Sequence, residues 1–107
     1  MTKYNIDRYQ RQITLLGEEG QESLRRARVL VAGVGGLGTI VAADLAAAGV
    51  GFLRLADNDR VELSNLNRQF LFRPDDIGRE KTLAAMERLH LLNPEIQVEG
   101  ISQTIDN

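Results

Sequence analysis

The chain has 107 residues with 43% hydrophobic content, which is enough to form the core of one small folded domain. Its 13 basic and 15 acidic residues give a formal net charge of −2, so nothing indicates general binding to nucleic acid or to an acidic membrane. The chain has no cysteine, which excludes disulfides and thiolate metal sites from these residues, and it lacks a long apolar stretch. We therefore expect a cytoplasmic protein with neither a membrane nor a nucleic-acid partner.

The amino-terminal segment predicts two short helices, residues 7–16 and 18–27, which are separated at Gly17. In the second helix the acidic residues come first and the arginines last, which is the arrangement that the helix dipole favours. We interpret residues 1–27 as a helical arm that precedes a nucleotide-binding domain.

Residues 28–38 read RVLVAGVGGLG, in which an aliphatic strand, residues 28–32, leads directly into a glycine loop. Gly33, Gly35 and Gly38 fit the spacing G-x-G-x-x-G. The first glycine permits a tight turn, the second lets a phosphate approach the backbone, and the third lets helix and strand pack closely. The helix that follows offers free N–H groups to an anion. This pattern predicts nucleotide binding but does not distinguish NAD, FAD and ATP.

An alanine-rich helix is predicted over residues 36–48, and Gly49 supplies its left-handed stop. Strand two, residues 52–56, ends at Asp57, which lies 19 residues beyond Gly38. That offset is close to the roughly 20 residues expected for a carboxylate that binds ribose hydroxyls. Such a contact would serve the adenosine of NAD and of ATP equally well.

A polar loop follows strand two over residues 57–69, and it is too long for a tight turn. A third helix is predicted from about residue 78 to residue 92, and a third strand over residues 96–101. The order β-α-β-α-β predicts an α/β fold. Residues 28–107 would form the first half of a Rossmann-like, doubly wound parallel sheet, preceded by the short helices.

The predicted sheet is only half of a full dinucleotide fold. In the usual strand order 3-2-1-4-5-6, strand one has a neighbour on each side, but no strand four follows here. An apolar strand edge that is open to water is unfavourable because its backbone groups are unpaired. We therefore expect these residues to be a fragment of a longer enzyme.

Several polar side chains follow strand two in the sequence. They are Asp59, Ser64, Asn65 and Arg68 in the loop and Lys81 in the first turn of the third helix. We expect them to converge on the carboxyl edge of the strands. Attack on an α-phosphorus builds negative charge, and a cation about 4 Å away stabilises it by roughly 4 kcal/mol at an effective dielectric near 20. Hydride transfer needs no such cations, so the cluster favours phosphate chemistry.

Four segments carry a family resemblance. In chain order they read RYQRQITLLGEEGQESL, ARVLVAGVGGLG, AAAGVGFLRLADNDRVELSNLNRQ and DIGREK. Together they resemble the amino-terminal half of the ThiF/MoeB/HesA adenylyltransferases, the bacterial relatives of ubiquitin-activating enzymes. That family adenylates the C-terminal carboxylate of a small ubiquitin-like sulfur-carrier protein or, in some members, a peptide. The resemblance therefore implies ATP as the cofactor and an acyl-adenylate as the product.

The resemblance also implies roles for individual residues. Asp57 would hold the ribose, and Arg11 matches an arginine that reaches the ATP phosphates of the partner subunit, which implies a homodimer. Arg11, Arg68 and Lys81 would be the catalytic residues. The residues that would bind the nucleotide are Gly33, Gly35, Gly36, Gly38, Asp57, Asp59, Ser64, Asn65, Leu66, Asn67, Arg68 and Lys81.

Three features of the family would lie beyond residue 107. They are an aspartate that assists magnesium and catalysis, an acceptor cysteine, and cysteine pairs that bind zinc. We therefore expect no metal ligand in this chain, with the ligands of Mg²⁺ and of any zinc mainly in the missing half, and we expect the 107 residues alone to be inactive. Two alternatives stay open: an NAD-dependent oxidoreductase domain, and a truncated, non-catalytic module that only dimerises or binds nucleotide.

Overall fold

A computed structural model describes residues 4–103 and confirms the predicted alternation of strands and helices. Its main elements are α1 (Gln10–Arg26), β1 (Arg28–Ala32), α2 (Gly36–Ala48), β2 (Phe52–Ala56), α3 (Lys81–Leu92) and β3 (Gln97–Ile101). Three single 3₁₀ turns lie at Ile6–Tyr9, Leu63–Asn65 and Pro74–Asp76. Within residues 4–103, no helix combines the length and the apolar character that crossing a membrane requires.

The three strands form one parallel sheet in the order β1-β2-β3. Arg28 of β1 lies opposite Phe52 of β2, and Phe52 lies opposite Gln97 of β3. This is the order 3-2-1 expected for the first half of a doubly wound sheet. The carboxyl ends of all three strands therefore meet at one edge, where the loops after β1 and β2 begin.

One face of the sheet is buried under α2 and α3. Leu53 and Leu55 of β2 are fully buried and belong to the same core as alanines of both helices, namely Ala42, Ala46, Ala84 and Ala85. Small side chains at these positions let the helices lie close to the strands. On the opposite face Arg54 and Glu99 are exposed and form an ion pair of 3.3 Å between β2 and β3.

The arm differs slightly from its prediction. The predicted break at Gly17 is confirmed, because that residue has non-helical angles of φ 75° and ψ 168° within α1. The first helix begins with the 3₁₀ turn Ile6–Tyr9, where the side chain of Asn5 accepts the N–H of Asp7 at 3.0 Å. This cap fixes the start of the arm within the described residues.

The start of α3 was predicted wrongly, since the helix begins at Lys81 and not near Gly78. Gly78 adopts a φ of 88°, which is not helical, and its N–H donates to the carbonyl of Val61 at 2.8 Å. Arg60 and Glu80 add an isolated antiparallel β-bridge. The residues before α3 are therefore held as a short extended connection against the loop after β2. Strand β3 begins one residue later than predicted.

Candidate functional site

The glycine loop has the geometry that its motif predicts. Gly33 has a φ of 95°, which favours glycine, and its N–H donates to the carbonyl of Ala56 at 2.7 Å. A Cβ on Gly38 would overlap the carbonyl oxygen of Gly33, so helix and strand approach as closely as glycine allows. A Cβ on Gly35 would meet no atom within 4 Å. Open space therefore lies above the N-terminus of α2, where backbone N–H groups can bind an anion.

Asp57 joins the glycine loop to the loop after β2. Its Oδ2 accepts the N–H of Val34 at 2.7 Å, and its Oδ1 accepts the N–H of Asp59 at 2.8 Å. Each carboxylate oxygen retains a second lone pair, so the partly buried side chain can still accept a ribose hydroxyl. Asp57 thus has both the position predicted from its offset and a structural role.

Arg68 lies beside the glycine loop. A Cβ on Gly36 would stand 4.0 Å from the carbonyl oxygen of Arg68, which measures how close the two loops come. The guanidinium folds back so that Nη1 donates to the carbonyl of Ser64 at 2.9 Å and to Oδ1 of Asn67 at 3.3 Å. Arg68, Ser64 and Asn67 are all exposed. The remaining N–H groups of the guanidinium have no partner within residues 4–103 and are available to an anion.

Two residues of the same loop hold it in place. Asn65 is 7% exposed, and its Oδ1 accepts the N–H of Glu62 at 2.8 Å. Leu66 is partly buried and packs against the hydrophobic core. Of the residues predicted around the phosphates, these two therefore shape the loop with their side chains and can offer a nucleotide mainly their backbone groups.

Lys81 is the most unusual residue of the site. It is only 6% exposed, yet its ammonium group forms no ion pair or hydrogen bond within residues 4–103. Two nearby arginines are paired: Arg79 contacts Glu87 at 2.8 Å, and Arg88 contacts the buried Asp76 at 3.1 Å. Buried lysines are rare unless they have a partner. Lys81 thus has a buried stem and an ammonium that still touches solvent and that lacks a counter-charge within residues 4–103.

Backbone hydrogen bonds connect Lys81 to the other site residues. The N–H of Lys81 donates to the carbonyl of Asp59 at 3.0 Å, and Asp59 is in turn bonded to Asp57. Asp57 accepts from Val34 in the glycine loop. The side chain of Asp59 is exposed at this edge. The structure therefore brings together the glycine loop, the two aspartates, the loop of Arg68 and the buried lysine.

Arg11 lies apart from these residues. It is exposed in the first turn of α1, and the side chain of the next residue, Gln12, donates to the carbonyl of Ala48 at 2.6 Å. Ala48 ends α2, whereas the glycine loop lies at the start of that helix. A helix of 13 residues is about 20 Å long at 1.5 Å per residue. Arg11 therefore lies far from the glycine loop of its own chain.

The described residues do not form a metal site of their own. Between residues 4 and 103, no group of three histidine, aspartate or glutamate side chains lies close enough together to hold an ion. Both carboxylate oxygens of Asp57 also accept backbone N–H groups, those of Val34 and Asp59. The location of the ligands of Mg²⁺ and zinc stays a prediction.

Two buried polar residues between β2 and α3 were missed from the sequence. Gln69 is 3% exposed, and its Oε1 has no hydrogen-bond partner in the described part of the chain. Asp76 is 1% exposed and accepts the N–H of Arg73 at 2.9 Å, besides pairing with two arginines. Both stand within or beside the SNLNRQ and DIGREK segments, but nothing in their spacing indicates burial.

Comparisons with a family model and with curated proteins indicate the same family. The model of the ThiF family matches residues 9–107. The chain is 52% identical to the sulfur carrier protein adenylyltransferase of Thermus thermophilus, with 92% of this chain and 37% of that protein covered. It is 50% identical to the sulfur carrier protein ThiS adenylyltransferase of Escherichia coli, with 98% and 43% covered. The chain thus spans about two fifths of these curated relatives.

A solved structure agrees with the sequence comparison. The crystal structure of E. coli MccB with ATP superposes with a TM-score of 0.86 at 38% identity, covering 99% of this chain and 32% of that one. The predicted Rossmann-like fold is therefore confirmed by a similar protein whose crystals contain ATP.

Proposed function

Since this chain belongs to the ThiF family, we propose that the full-length protein is an ATP-dependent adenylyltransferase. Its substrate is the C-terminal carboxylate of a small ubiquitin-like sulfur carrier or of a peptide, and its product is an acyl-adenylate. The two curated relatives are named as adenylyltransferases of sulfur carriers, which supports the reaction and the kind of partner. The structure of MccB with ATP supports the nucleotide.

The observation that carries the proposal is Lys81, whose stem is buried and whose solvent-touching ammonium has no counter-charge within residues 4–103. An ammonium group that a buried stem holds in one place can pair with an anion that binds there. The glycine loop, with its open N–H groups, lies at the same edge of the sheet and is joined to Lys81 through Asp57 and Asp59. A triphosphate would supply the missing negative charge to both.

The proposed reaction is a displacement at the α-phosphorus. A carboxylate oxygen attacks, a new P–O bond forms, the bond to the bridging oxygen breaks, and pyrophosphate leaves with the electron pair. Arg68 and Lys81 stabilise the charge that grows on the phosphate oxygens, and Asp57 orients the ribose. Magnesium, when bound, neutralises phosphate charge.

The position of Arg11 supports a homodimer. The arm packs at the C-terminal end of α2, about 20 Å of helix away from the glycine loop. An arginine there is better placed for the ATP of a second copy than for its own. Exposed apolar side chains on and beside α2, including Leu37, Ile40 and Phe70, offer surface that a second copy could cover.

We also propose a domain division, a location and the absence of two kinds of partner. Residues 1–27 are the arm and residues 28–107 belong to the nucleotide-binding domain. The protein is cytoplasmic and has no nucleic-acid or membrane partner, which its net charge of −2 supports. The two alternatives, an NAD-dependent oxidoreductase and a non-catalytic module, are not favoured by the names of the relatives.

The test is ATP–pyrophosphate exchange by the full-length protein, with E. coli ThiS as the probe carrier. Lys81→Met should lower exchange by roughly 10²–10³-fold, the scale for removing one preorganised electrostatic contact. Arg26→Met is the matched control, because this exposed arginine at the end of α1 has no ion pair in the described chain. The control should exchange like the wild type.

Direct titration with ATP and with NAD makes the test independent of the carrier. We expect the wild type to bind ATP, Lys81→Met to bind it more weakly, and neither protein to prefer NAD. Lys81→Met should unfold close to the wild-type temperature, because methionine keeps most of the buried stem and no ion pair of the described chain is lost. Unchanged ATP affinity in Lys81→Met, or tight NAD binding with indifference to ATP, would overturn the proposal.

A further inference from the structure

A cluster of polar side chains fastens the arm to the C-terminal end of α2. We call it the arm clamp, and its members are Tyr9, Gln12, Gln21, Asn93 and Glu95. The last carbonyl groups of a helix have no partner within the helix and must be satisfied by other groups. The clamp supplies side-chain amides to two of them, those of Ala46 and Ala48.

Tyr9 is the centre of the first half of the clamp. It is 2% exposed, and its hydroxyl donates to Oε1 of Glu95 at 3.0 Å. The Nδ2 of Asn93 donates to the same hydroxyl at 2.9 Å and to the carbonyl of Ala46 at 2.8 Å. Asn93 is 1% exposed. The tyrosine is therefore fixed in position and orientation by groups that are 84 and 86 residues away in sequence.

Gln12 is the centre of the second half. Its Nε2 donates to the carbonyl of Ala48 and to Oε1 of Gln21, both at 2.6 Å. The Nε2 of Gln21 donates to the same carbonyl at 2.9 Å. The clamp packs tightly against the end of α2, since a Cβ on Gly49 would stand 2.7 Å from Cε1 of Tyr9. The first turn of α1 is thus held at two positions along the chain, Tyr9 and Gln12.

Arg11 lies between these two anchors. Tyr9 and Gln12 are three residues apart, so they occupy the same side of the turn, and Arg11 projects from a different side. Arg11 is exposed and forms no hydrogen bond or ion pair within residues 4–103, while the neighbouring Arg8 lies 3.4 Å from Glu95. The clamp holds the backbone on either side of an arginine whose own charge is left free.

We propose that Tyr9, Gln12 and Asn93 are positioning residues for Arg11, which hold its guanidinium at the angle required to contact the ATP phosphates of a second copy. This inference rests on the proposed function. Hydrogen bonds fix direction as well as distance, so a polar clamp sets the rotation of the turn more strictly than apolar packing does. A displacement of about 1 Å in a group that contacts the reacting phosphates can cost about 100-fold.

The test compares two neighbouring glutamines in the full-length protein. Gln12→Ala removes two clamp hydrogen bonds but leaves the carbonyl of Ala48 bonded to Gln21. Gln10→Ala is the matched control, because the Gln10 side chain is exposed and forms no hydrogen bond in the described chain. Gln12→Ala should weaken ATP binding by roughly 10- to 100-fold and leave adenosine binding unchanged, since adenosine has no phosphates. Gln10→Ala should bind both like the wild type.

A double-mutant cycle with Arg11→Ala separates positioning from general destabilisation. If Gln12 acts through Arg11, Gln12→Ala should cause no further loss of ATP affinity once Arg11 is alanine. An equal further loss, or an unchanged affinity in the single variant, would overturn the inference. Tyr9→Phe, which removes only the hydroxyl, repeats the comparison if Gln12→Ala does not fold. An Arg11→Ala single variant with wild-type ATP affinity would instead remove Arg11 from the proposed function itself.

Discussion

The two ends of α2 differ in whether their polar groups have partners. At the C-terminal end, the carbonyl of Ala48 accepts hydrogen bonds from both Gln12 and Gln21. At the N-terminal end, the space around Gly35 is open, and the nearby Lys81 is buried without a counter-charge in the described chain. The C-terminal end of α2 thus has a completed polar network, whereas its N-terminal end adjoins open space and is linked through Asp57 and Asp59 to the unpaired Lys81 of α3.

This difference separates a structural contact from a ligand site. Asn93 in the clamp is 1% exposed and Lys81 is 6% exposed, so burial alone does not distinguish them. The amide of Asn93 has protein partners for its nitrogen and its oxygen, whereas the ammonium of Lys81 has none within residues 4–103. Buried polar groups in folded proteins normally have partners. The stem of Lys81 is buried, but its unpaired ammonium still touches solvent, where an anion can pair with it.

The largest expected effect tests the N-terminal end with two glycines of one loop. Gly38→Ala should lower the free energy of unfolding by about 3 kcal/mol, because its methyl group overlaps the backbone carbonyl of Gly33 and the backbone cannot yield easily. Gly35→Ala should change it by less than about 1 kcal/mol, because no atom lies within 4 Å of the new carbon. The same methyl should weaken ATP binding, since it enters the open space.

Thermal unfolding and ATP titration of both full-length variants measure this pair. The interpretation of the N-terminal end of α2 would be wrong if Gly35→Ala kept full ATP affinity, because the open space would then not be where phosphates bind. Equal stability of Gly38→Ala and the wild type would show that the loop is less tightly packed than the structure indicates.

A smaller effect is expected at Asp57. Asp57→Ala should lower the free energy of unfolding by about 2 kcal/mol, since it leaves the buried N–H of Val34 without an acceptor. Asp59→Ala is the control, because only its backbone takes part in hydrogen bonds and its side chain is exposed. Urea unfolding of both variants checks the difference. Similar losses in the two would mean that the carboxylate of Asp57 does not join the loops.

The strand-loop-helix segment could be predicted closely from the sequence. The bounds of β1, α2 and β2 agree with prediction because local rules fix them: the glycine spacing, the positive φ at Gly33 and the left-handed stop at Gly49. The offset of Asp57 from the loop also follows from this local pattern. These features depend on residues close together in the chain, which is where spacing carries information.

Features that depend on distant residues could not be predicted. The start of α3 is set by contacts of Gly78 and Glu80 with residues of the loop after β2, and no periodicity encodes these. The clamp joins Gln12 to Ala48 across 36 residues, and its amides resemble ordinary surface glutamines in the sequence. The burial of Lys81 is equally invisible, because it depends on how the loops pack and not on the lysine's neighbours in the chain.

The smallest effect tests whether the C-terminal end is as fully paired as the contacts indicate. Burial raises the pKa of Tyr9 well above its usual value of 10.0, and the nearby Glu95 adds to the increase. A raised pKa in the folded state gives a stability that is fully present below pH 10 and is lost as the pH rises, because the unfolded tyrosine then releases its proton first. The free energy of unfolding should fall by about 1.4 kcal/mol per pH unit above pH 10.

Tyr9→Phe should lack this component, so urea unfolding of both proteins at pH 8 and pH 11 measures it. Parallel losses in the two proteins would indicate that water reaches the hydroxyl, and the contrast between the paired and the unpaired end of α2 would then weaken.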